Sequence, residues 1–444
     1  MNNLKTISKT TTNERQFAYK KHHSCVHPLI LTRHLIEKQL RKGNYVLLVI
    51  VDLSLAFDLV QCDTILPAKL RHYGATDKTV EYFNNFFTNR KHFVTWNNVS
   101  SKPTDLFNHS CVQGSSTGPI IYNLYTMDLN NISSCETIMF ADDNSYIKGD
   151  KIVEKLFKDM NTELDTIQEY FTENTLLTNK QKTYYMLYEP KNKKKFDNNL
   201  KLWMKETELQ RVSEIKFLGV WLDDKLNFSK QFEELKKKLE DAVKALICAR
   251  NTMNYKTKLL VYNALFKPHL EYCSITYMDK LNKSQLESLF KLQKQAIRLI
   301  FNAKRNVHTD KLFKLSKITP LVKLYEIEAI KFIFKNVNET TKDQQPLAIR
   351  NLITGELKPN MSTRLSEDNL KITMPKESIR GQVLYDIINA WNTTKEDYRK
   401  CGNIISLKRL IHEDVMESLE PCIVKSCFIC SMDRRVNYEK YMDI

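Results

Sequence analysis

The sequence predicts a mixed α/β unit, followed by a basic helical unit and a mixed C-terminal region. The chain has 444 residues, which exceeds the usual size of one compact domain. One early segment, Tyr45–Val51, is apolar and rich in β-branched residues, as in a strand buried on both faces. From Phe232 onward, apolar residues recur at spacings of three and four, which is typical of amphipathic helices.

Hydrophobic periodicity and turn residues assign the elements in chain order. The tetrapeptide Ala141-Asp-Asp-Asn144 is a turn signal between two short strands, and Ser284-Gln-Leu-Glu287 matches a capping box at a helix start. The predicted elements are a helix over 27–41, a strand over 45–52, helices over 63–73 and 77–90, strands near 92–99 and 105–111, a helix from about 119, a strand pair around 141–144, a helix over 152–175, strands over 183–188 and 215–222, and helices from 232 to about 335, followed by a polar linker and a tail of short helices and weak strands.

The charge pattern favours a polyanionic partner. Lys and Arg number 68 and Asp and Glu 52, which gives a formal net charge of +16 and suits nucleic acid or an acidic membrane surface. Residues 1–150 contain 16 basic and 13 acidic residues, so most of the excess lies later in the chain. A Lys-rich solvated surface would give the same count, and charge alone does not separate the two interpretations.

Composition argues against several other classes of protein. Nine glycines, without a Walker A or Rossmann fingerprint, disfavour a Gly-rich nucleotide-binding loop. The ten cysteines are mostly scattered and the N-terminus is basic and polar, so a reducing, intracellular compartment is expected. No apolar run approaches the roughly 18 residues of a membrane helix, so no membrane partner is expected.

Three aspartates could supply the chemistry of nucleotidyl transfer. That reaction uses two Mg²⁺ ions about 3.5–4 Å apart, held by carboxylates on rigid elements. Asp52 ends the buried strand, and the adjacent Asp142 and Asp143 lie on the predicted hairpin. The three carboxylates converge if the two strands are neighbours in one sheet. Taken singly, an Asp-Asp turn and an Asp at a strand end are more often ordinary structural features.

Five blocks of sequence, in one order, surround these carboxylates. They are Asp52-Leu-Ser-Leu-Ala-Phe-Asp58, Gln113-Gly-Ser-Ser-Thr-Gly-Pro119, Phe140-Ala-Asp-Asp143, Leu177-Thr-Asn-Lys-Gln-Lys-Thr183 and Lys216-Phe-Leu-Gly-Val-Trp-Leu-Asp223. Together they resemble reverse transcriptases of non-LTR retrotransposons of the jockey-like type, and weaker similarity covers about residues 14–420. A fingers-like block begins at Gln16, but Ala18 and Lys20 stand where the family has Gly and Arg, and Val112 replaces a Pro.

The resemblance implies a right-hand polymerase fold, with a ferredoxin-like mixed sheet in the palm. The implied parts are a polar segment at 1–15, partial fingers and palm at 16–228, a helical thumb at 229–335, a linker at 336–360 and a mixed tail at 361–444. Most of the fingers and the endonuclease that precede these blocks in the family are missing from the chain. We therefore expect an N-terminally truncated member.

The resemblance also implies roles for individual residues. Asp52, Asp142 and Asp143 would bind the metals with the backbone carbonyl of Leu53, and Lys182 would protonate the leaving pyrophosphate. The other implied positions are an aromatic gate against the ribose 2′-hydroxyl at Phe57, support of template and incoming base by Gln113 and Gly114, a primer grip at Phe217, Leu218 and Gly219, and nucleic-acid contacts at Lys20, Lys21, Lys236, Lys237 and Lys238. The purely structural alternatives are core packing for Phe57, a solvated surface lysine for Lys182 and an ordinary turn for Gln113 and Gly114.

The implied function is RNA-directed DNA polymerisation onto a primer 3′-hydroxyl, with two Mg²⁺ ions. The partners would be an RNA template, a DNA primer, dNTPs and an endonuclease supplied in trans, in a ribonucleoprotein of the nucleus or cytoplasm. The intact carboxylates and Lys182 favour the enzyme, whereas the short N-terminus and altered fingers block favour a decayed or repurposed copy that binds nucleic acid without polymerising it. A palm-fold cyclase would leave the primer-grip and thumb segments unexplained.

The C-terminal cysteines carry part of a zinc-site spacing. Cys422, Cys427 and Cys430 would need His412 or Cys401 as a fourth ligand. An unpaired Cys-x-x-Cys is more often a pair of reduced thiols, which is the interpretation that we prefer.

Overall fold

The computed structural model describes residues 13–88, 90–105, 110–111, 114–191, 199–338, 345–355 and 382–419. The chain forms two compact units, which divide between Ser213 and Glu214. The sequence placed the end of the palm at residue 228, so the hairpin that follows Ser213 groups instead with the helical unit. None of the described helices combines the length and the apolar character needed to cross a lipid bilayer.

The first unit is a mixed α/β structure, as predicted. Its elements are α1 (Val26–Arg41), β1 (Tyr45–Val51), β2 (Leu53–Ser54), α2 (Ile65–His72), α3 (Asp77–Phe87), β3 (Lys91–His92), β4 (Thr95–Trp96), β5 (Val99–Ser100), β6 (Thr104–Asp105), α4 (Gly118–Tyr125), β7 (Glu136–Phe140), β8 (Asp143–Asp150), α5 (Val153–Glu173), β9 (Leu177–Thr178), β10 (Tyr184–Tyr188), β11 (Trp203–Met204), β12 (Thr207–Glu208) and β13 (Gln210–Arg211), with 3₁₀ turns at Met127–Asn131 and Lys180–Lys182. In place of the two strands predicted near 92–99 and 105–111, the described residues form the four two-residue strands β3 to β6.

The central sheet of this unit has the strand order β13-β10-β1-β8-β7. All neighbours are antiparallel except β10 and β13, which are parallel. The order β10-β1-β8-β7, with helices between β1 and β7 and between β8 and β10, is that of a ferredoxin-like fold. β1 occupies the middle and is buried along its whole length, which confirms the strand predicted there.

Helices cover both faces of this sheet. Leu47, Val49 and Val51 of β1 belong to one large apolar core, which also contains side chains of α4 and α5. Alternation along the strand places Val46, Leu48 and Ile50 on the opposite face. Helix α1 contacts β1, β7 and β8, and its buried apolar side chains lie outside the α4–α5 core. The sheet is therefore a rigid support for residues at its strand ends.

The second unit begins with a β-hairpin and continues as helices. Its elements are β14 (Glu214–Phe217), β15 (Val220–Asp223), α6 (Ser229–Cys248), α7 (Tyr255–Val261), a π-helical turn (Tyr262–Phe266), α8 (Lys267–Glu271), 3₁₀ turns (Ser274–Thr276 and Met278–Lys280), α9 (Lys283–Ile300), α10 (Asp310–Ser316), α11 (Leu321–Val337), α12 (Leu347–Gly355), α13 (Val383–Thr393), α14 (Glu396–Arg399) and α15 (Ile404–Ser418). The predicted run of helices to about residue 335 is confirmed by α6 to α11.

Four sequence-based expectations in this unit differ from what the described residues show. The single strand predicted over 215–222 is a hairpin, because Leu218 and Gly219 both have positive φ, 45° and 81°, and turn the chain back. The capping box predicted at residues 284–287 was wrong: Asn282 caps α9 and exchanges hydrogen bonds with Gln285, so the helix begins earlier. The segment predicted as a linker contains α12, and the described residues of the tail, 382–419, form helices without a strand.

Candidate active site

The hairpin that carries Asp142 and Asp143 pairs with the strand that ends at Asp52. In the antiparallel ladder, Val51 of β1 faces Asn144 of β8. The next position in that register places Asp52 opposite Asp143, on the same face of the sheet. The two strands are thus neighbours, as convergence of the carboxylates required.

The connection between β7 and β8 is a tight turn of two residues. Ala141 adopts a left-handed conformation, with φ of 58°, and is 6% exposed. The side-chain amide of Asn144 donates to the backbone carbonyl of Asp142 at 3.0 Å. On the other side, the Gln16 side chain accepts a hydrogen bond from the Ala141 N–H at 3.1 Å. Neither Gln16 nor Asn144 is predicted as a site residue from the sequence, because a polar side chain that supports a turn has no motif of its own.

Burial and neighbouring negative charge raise the pKa of Asp142 and of Asp143. Burial raises the pKa of Asp143 to about 6, and the negative charges of Asp142 and Asp52 add to the effect. Burial also raises the pKa of Asp142; a hydrogen bond from its own backbone N–H opposes this change, and the charge of Asp52 reinforces it. The three aspartates are therefore close enough to interact electrostatically, and together they make the electrostatic potential at this edge of the sheet negative.

Hard carboxylate oxygens on rigid strands fit a divalent cation such as Mg²⁺ by their chemistry. Among the described residues, however, no group of three or more His, Cys, Asp or Glu side chains is arranged as a ready coordination shell. The aspartates interact through their charges without forming a compact ligand set.

The segment around Lys182 is tied to the same strand end. The backbone N–H of Asn179 donates to the carbonyl of Asp52 at 2.8 Å. Asp52 and Asn179 are therefore a hydrogen-bonded pair of the antiparallel ladder that continues into β2 and β9. Hydrogen-bonded pairs alternate with non-hydrogen-bonded pairs along such a ladder, so Leu53 and Thr178 form a non-hydrogen-bonded pair. The carbonyl of Leu53 is thus directed away from β9. Lys182 ends the 3₁₀ turn that follows Asn179, and it is exposed.

Phe57 lies against aromatic rings beside the carboxylates. Its ring stacks on Tyr122 and meets Tyr19 edge to face, with the latter centroids 6.0 Å apart. Burial raises the pKa of Tyr122, and the charges of Asp142 and Asp143 raise it further, so Tyr122 is close to the carboxylates. Phe57 is half-buried, which is compatible with both the sugar gate and the packing interpretation.

Other predicted site residues are distributed over both units. Gly114 has a φ of 80° with open space around the position of a Cβ, whereas Gln113 lies outside the described residues. In the second unit, Phe217 is buried, and the carbonyl of Leu218 accepts a hydrogen bond from the Tyr272 hydroxyl at 2.8 Å. Cys422, Cys427 and Cys430 lie outside the described residues.

The predicted nucleic-acid-binding lysines differ in their surroundings. The ammonium of Lys20 donates to the carbonyl of Asn13 at 2.6 Å, and burial lowers the pKa of Lys20 to about 8. Lys21 is exposed. On α6, Lys237 and Lys238 are exposed, whereas Lys236 forms an ion pair with Glu240 at 3.8 Å.

Comparison with known proteins agrees with this arrangement. A family model described as "Reverse transcriptase (RNA-dependent DNA polymerase)" matches residues 1–222, which is half of the chain. The chain belongs to this reverse transcriptase family. The resemblance inferred from the five sequence blocks is therefore confirmed, and the ferredoxin-like sheet with Asp52, Asp142 and Asp143 lies inside the matched region.

This reverse transcriptase is similar to two proteins of mobile elements. It is 23% identical over 299 residues to the probable RNA-directed DNA polymerase from transposon BS of Drosophila melanogaster, which covers 65% of this chain and 32% of that protein. It is 22% identical over 303 residues to the RNA-directed DNA polymerase from mobile element jockey of Drosophila funebris, with 62% and 31% covered. The chain thus spans about a third of the length of these curated relatives.

Solved telomerase structures give weaker matches. Apo telomerase from Candida tropicalis matches with a TM-score of 0.38 and 10% identity over 81% of this chain and 58% of that chain. Telomerase from Candida albicans in complex with a fragment of telomeric RNA matches with a TM-score of 0.30 and 11% identity over 78% and 55%.

Proposed function

We propose that this chain is the polymerase part of an RNA-directed DNA polymerase from a mobile element, which transfers deoxynucleotides onto a primer 3′-hydroxyl. The observation that carries the proposal is the register of β1 and β8, which pairs Val51 with Asn144 and, continued by one position, brings Asp52 opposite Asp143. The partners are an RNA template, a DNA primer and dNTPs. The setting is a ribonucleoprotein in the nucleus or cytoplasm.

Asp52, Asp142 and Asp143 are the residues that would hold two Mg²⁺ ions, with the carbonyl of Leu53 as an additional ligand. The raised pKa values of Asp142 and Asp143 support this assignment, because a cation would relieve the mutual repulsion of the carboxylates. The carbonyl of Leu53 is directed away from β9, so the pairing with that strand does not use it as an acceptor. When bound, the ions supply activation of the hydroxyl and neutralisation of the triphosphate charge.

The remaining residues orient substrates and move a proton. Phe57, which stacks on Tyr122, would exclude a ribose 2′-hydroxyl while sparing a deoxyribose. Gly114, together with Gln113, supports the template and the incoming base. As the primer oxygen bonds to the α-phosphorus and the bond to pyrophosphate breaks, Lys182 donates a proton to the departing pyrophosphate oxygen. Phe217, Leu218 and Gly219 hold the primer, and Lys20, Lys21, Lys236, Lys237 and Lys238 contact phosphates.

Primer extension on an RNA template with dNTPs and Mg²⁺ tests the proposal. Asp143→Asn removes an anionic ligand and should abolish extension while leaving binding of an RNA–DNA hybrid nearly unchanged. Asp150→Asn is the matched control, because Asp150 lies at the far end of the same strand and pairs with Lys155 on the surface. This control should extend the primer like the unaltered chain.

Extension by Asp143→Asn at the unaltered rate would refute the metal assignment. A chain that binds the hybrid but never extends a primer under any divalent cation would instead establish the second candidate, a decayed or repurposed nucleic-acid-binding protein.

A further inference from the structure

The segment that precedes α1 pairs with the edge of the sheet at the hairpin of Asp142 and Asp143. Gln16 forms an isolated parallel bridge with Met139 of β7. The N–H of Phe17 donates to the Met139 carbonyl, and the N–H of Met139 donates to the Arg15 carbonyl, both at 2.9 Å. The backbone therefore places the Gln16 side chain beside the turn.

The Gln16 amide binds both backbone polar groups of Ala141. Its Oε1 accepts from the Ala141 N–H at 3.1 Å and from the Ala18 N–H at 2.9 Å. Its Nε2 donates to the Ala141 carbonyl at 3.5 Å. Gln16 is 1% exposed, so water is poorly placed to replace these bonds. One buried side chain thus connects the N-terminal segment to the turn residue itself.

Ala141 needs such support because its conformation is unfavourable for a residue with a Cβ. A left-handed φ of 58° is intrinsically disfavoured outside Gly, Asn and Asp. Ala141 immediately precedes Asp142, and the peptide orientation at this position sets the directions of the following two side chains. A small rotation at the turn would therefore move the carboxylates relative to Asp52, which directly follows β1 and whose carbonyl accepts the Asn179 N–H.

We propose that Gln16 is a positioning residue, whose amide fixes the Ala141 turn and thereby sets the distance of Asp142 and Asp143 from Asp52. The inference rests on the proposed function, because it assigns Gln16 to the site that would bind divalent metal. In the sequence, Gln16 begins the fingers-like block. Its hydrogen bonds assign it the support of the turn that carries the carboxylates.

The test is the affinity of the full chain for Mn²⁺, measured by electron paramagnetic resonance of the free ion. Gln16→Met removes both hydrogen-bonding groups at similar volume and should weaken Mn²⁺ binding about tenfold or more, as the loss of groups that orient metal ligands does elsewhere. Gln16→Glu keeps an acceptor for the two N–H groups and provides a second variant if the first does not fold. It should bind Mn²⁺ less tightly than the unaltered chain.

Arg15→Met is the matched control. Arg15 is the neighbouring residue and forms an ion pair with Glu136 at 2.6 Å, so its loss weakens attachment of the same segment without touching the turn. A purely structural role for Gln16 predicts that Gln16→Met and Arg15→Met both lower the melting temperature and that neither changes the affinity for Mn²⁺. The positioning role predicts a change in affinity for the Gln16 variants alone.

Asp143→Asn separates this inference from the proposed function. If Asp143→Asn weakens Mn²⁺ binding and Gln16→Met does not, the role of Gln16 is refuted and the metal site stands. If the unaltered chain and Asp143→Asn bind Mn²⁺ equally, no metal site exists at these carboxylates and both proposals fail.

Discussion

The ring of Phe57 lies nearly parallel to the ring of Tyr122, with 4.5 Å between the centroids and 16° between the planes. Tyr122 belongs to the apolar core and is close enough to Asp142 and Asp143 for their charges to raise its pKa. The residue predicted to select the sugar is therefore held by a core ring that lies within electrostatic reach of the carboxylates proposed to bind metal. Packing and sugar selection are compatible functions of one side chain at this position.

Phe57→Val should admit ribonucleotides, because a smaller side chain opens space for the 2′-hydroxyl. It should also destabilise the first unit by about 1–3 kcal/mol through lost stacking and burial. The measurement is the ratio of rNTP to dNTP incorporation, with the melting temperature determined in parallel. Phe86→Val is the control, since Phe86 is a half-buried Phe of α3 that packs against the same core. An unchanged ratio in Phe57→Val would leave core packing as its sole role.

Replacing the α6 lysines should change the salt dependence of nucleic-acid binding. Lys237 and Lys238 are exposed, whereas Lys236 is paired with Glu240. Changing all three to Gln should reduce the slope of log K against log salt by about 2 to 3, at roughly one unit per phosphate contact. The titration uses a labelled RNA–DNA hybrid. The double variant Lys155→Gln and Lys158→Gln on α5 removes surface charge from the palm instead and should leave the slope nearly unchanged. An unaltered slope in the triple variant would remove α6 from the binding surface.

Glu163 should make the first unit sensitive to acid. Burial alone would raise the pKa of Glu163, but hydrogen bonds from Lys148, the Ser133 and Ser134 hydroxyls and the Ser134 N–H outweigh it and lower the pKa to about 2. Because the folded pKa lies below the unfolded value of about 4.3, this stabilisation is complete at pH 6 and is lost as the pH falls toward 2.

Glu163→Gln should therefore lower the melting temperature at pH 6 and show a smaller difference from the unaltered chain at pH 3. Thermal unfolding followed by circular dichroism at several pH values measures this. Glu169→Gln is the control, because Glu169 pairs with Lys205 on an exposed part of the surface. If the melting temperatures of Glu163→Gln and the unaltered chain differ by the same amount at every pH, the stabilisation by the hydrogen bonds of Glu163 does not depend on its charge.

Gly219 should be difficult to replace for two separable reasons. Its φ of 81° disfavours any residue with a Cβ, and a Cβ there would lie 3.1 Å from Cε1 of Tyr272. Gly219→Ala should therefore destabilise the second unit by about 1–2 kcal/mol. Gly74→Ala provides the comparison, since Gly74 has a φ of 84° with nothing within 4 Å of the added Cβ. Equal losses in both variants would show that the ring of Tyr272 moves aside without cost.

Local pattern in the sequence was sufficient to predict the central strand and its neighbours. Tyr45–Val51 has no charged or strongly polar residue, as is typical of a strand that is covered on both faces. Helices α1 and α5 do contact this strand. The turn signal Ala141-Asp-Asp-Asn144 predicted the hairpin because Asp and Asn are common turn residues. The blocks around Asp52, Asp142 and Asp143 led to the family, because their residues and their order along the chain resemble those of its members.

Only the tertiary structure decided how these parts meet. The sequence could not specify that Val51 faces Asn144, because register depends on which strands become neighbours. It did not indicate that Gln16 supports Ala141, since the two are 125 residues apart and a single Gln in a polar segment has no periodic signature. It also merged β14 and β15 into one strand, because the turn depends on two backbone angles rather than on side-chain polarity. Residue types and local periodicity are thus read from the chain itself, whereas register, buried hydrogen bonds and turn conformations arise from contacts between distant segments.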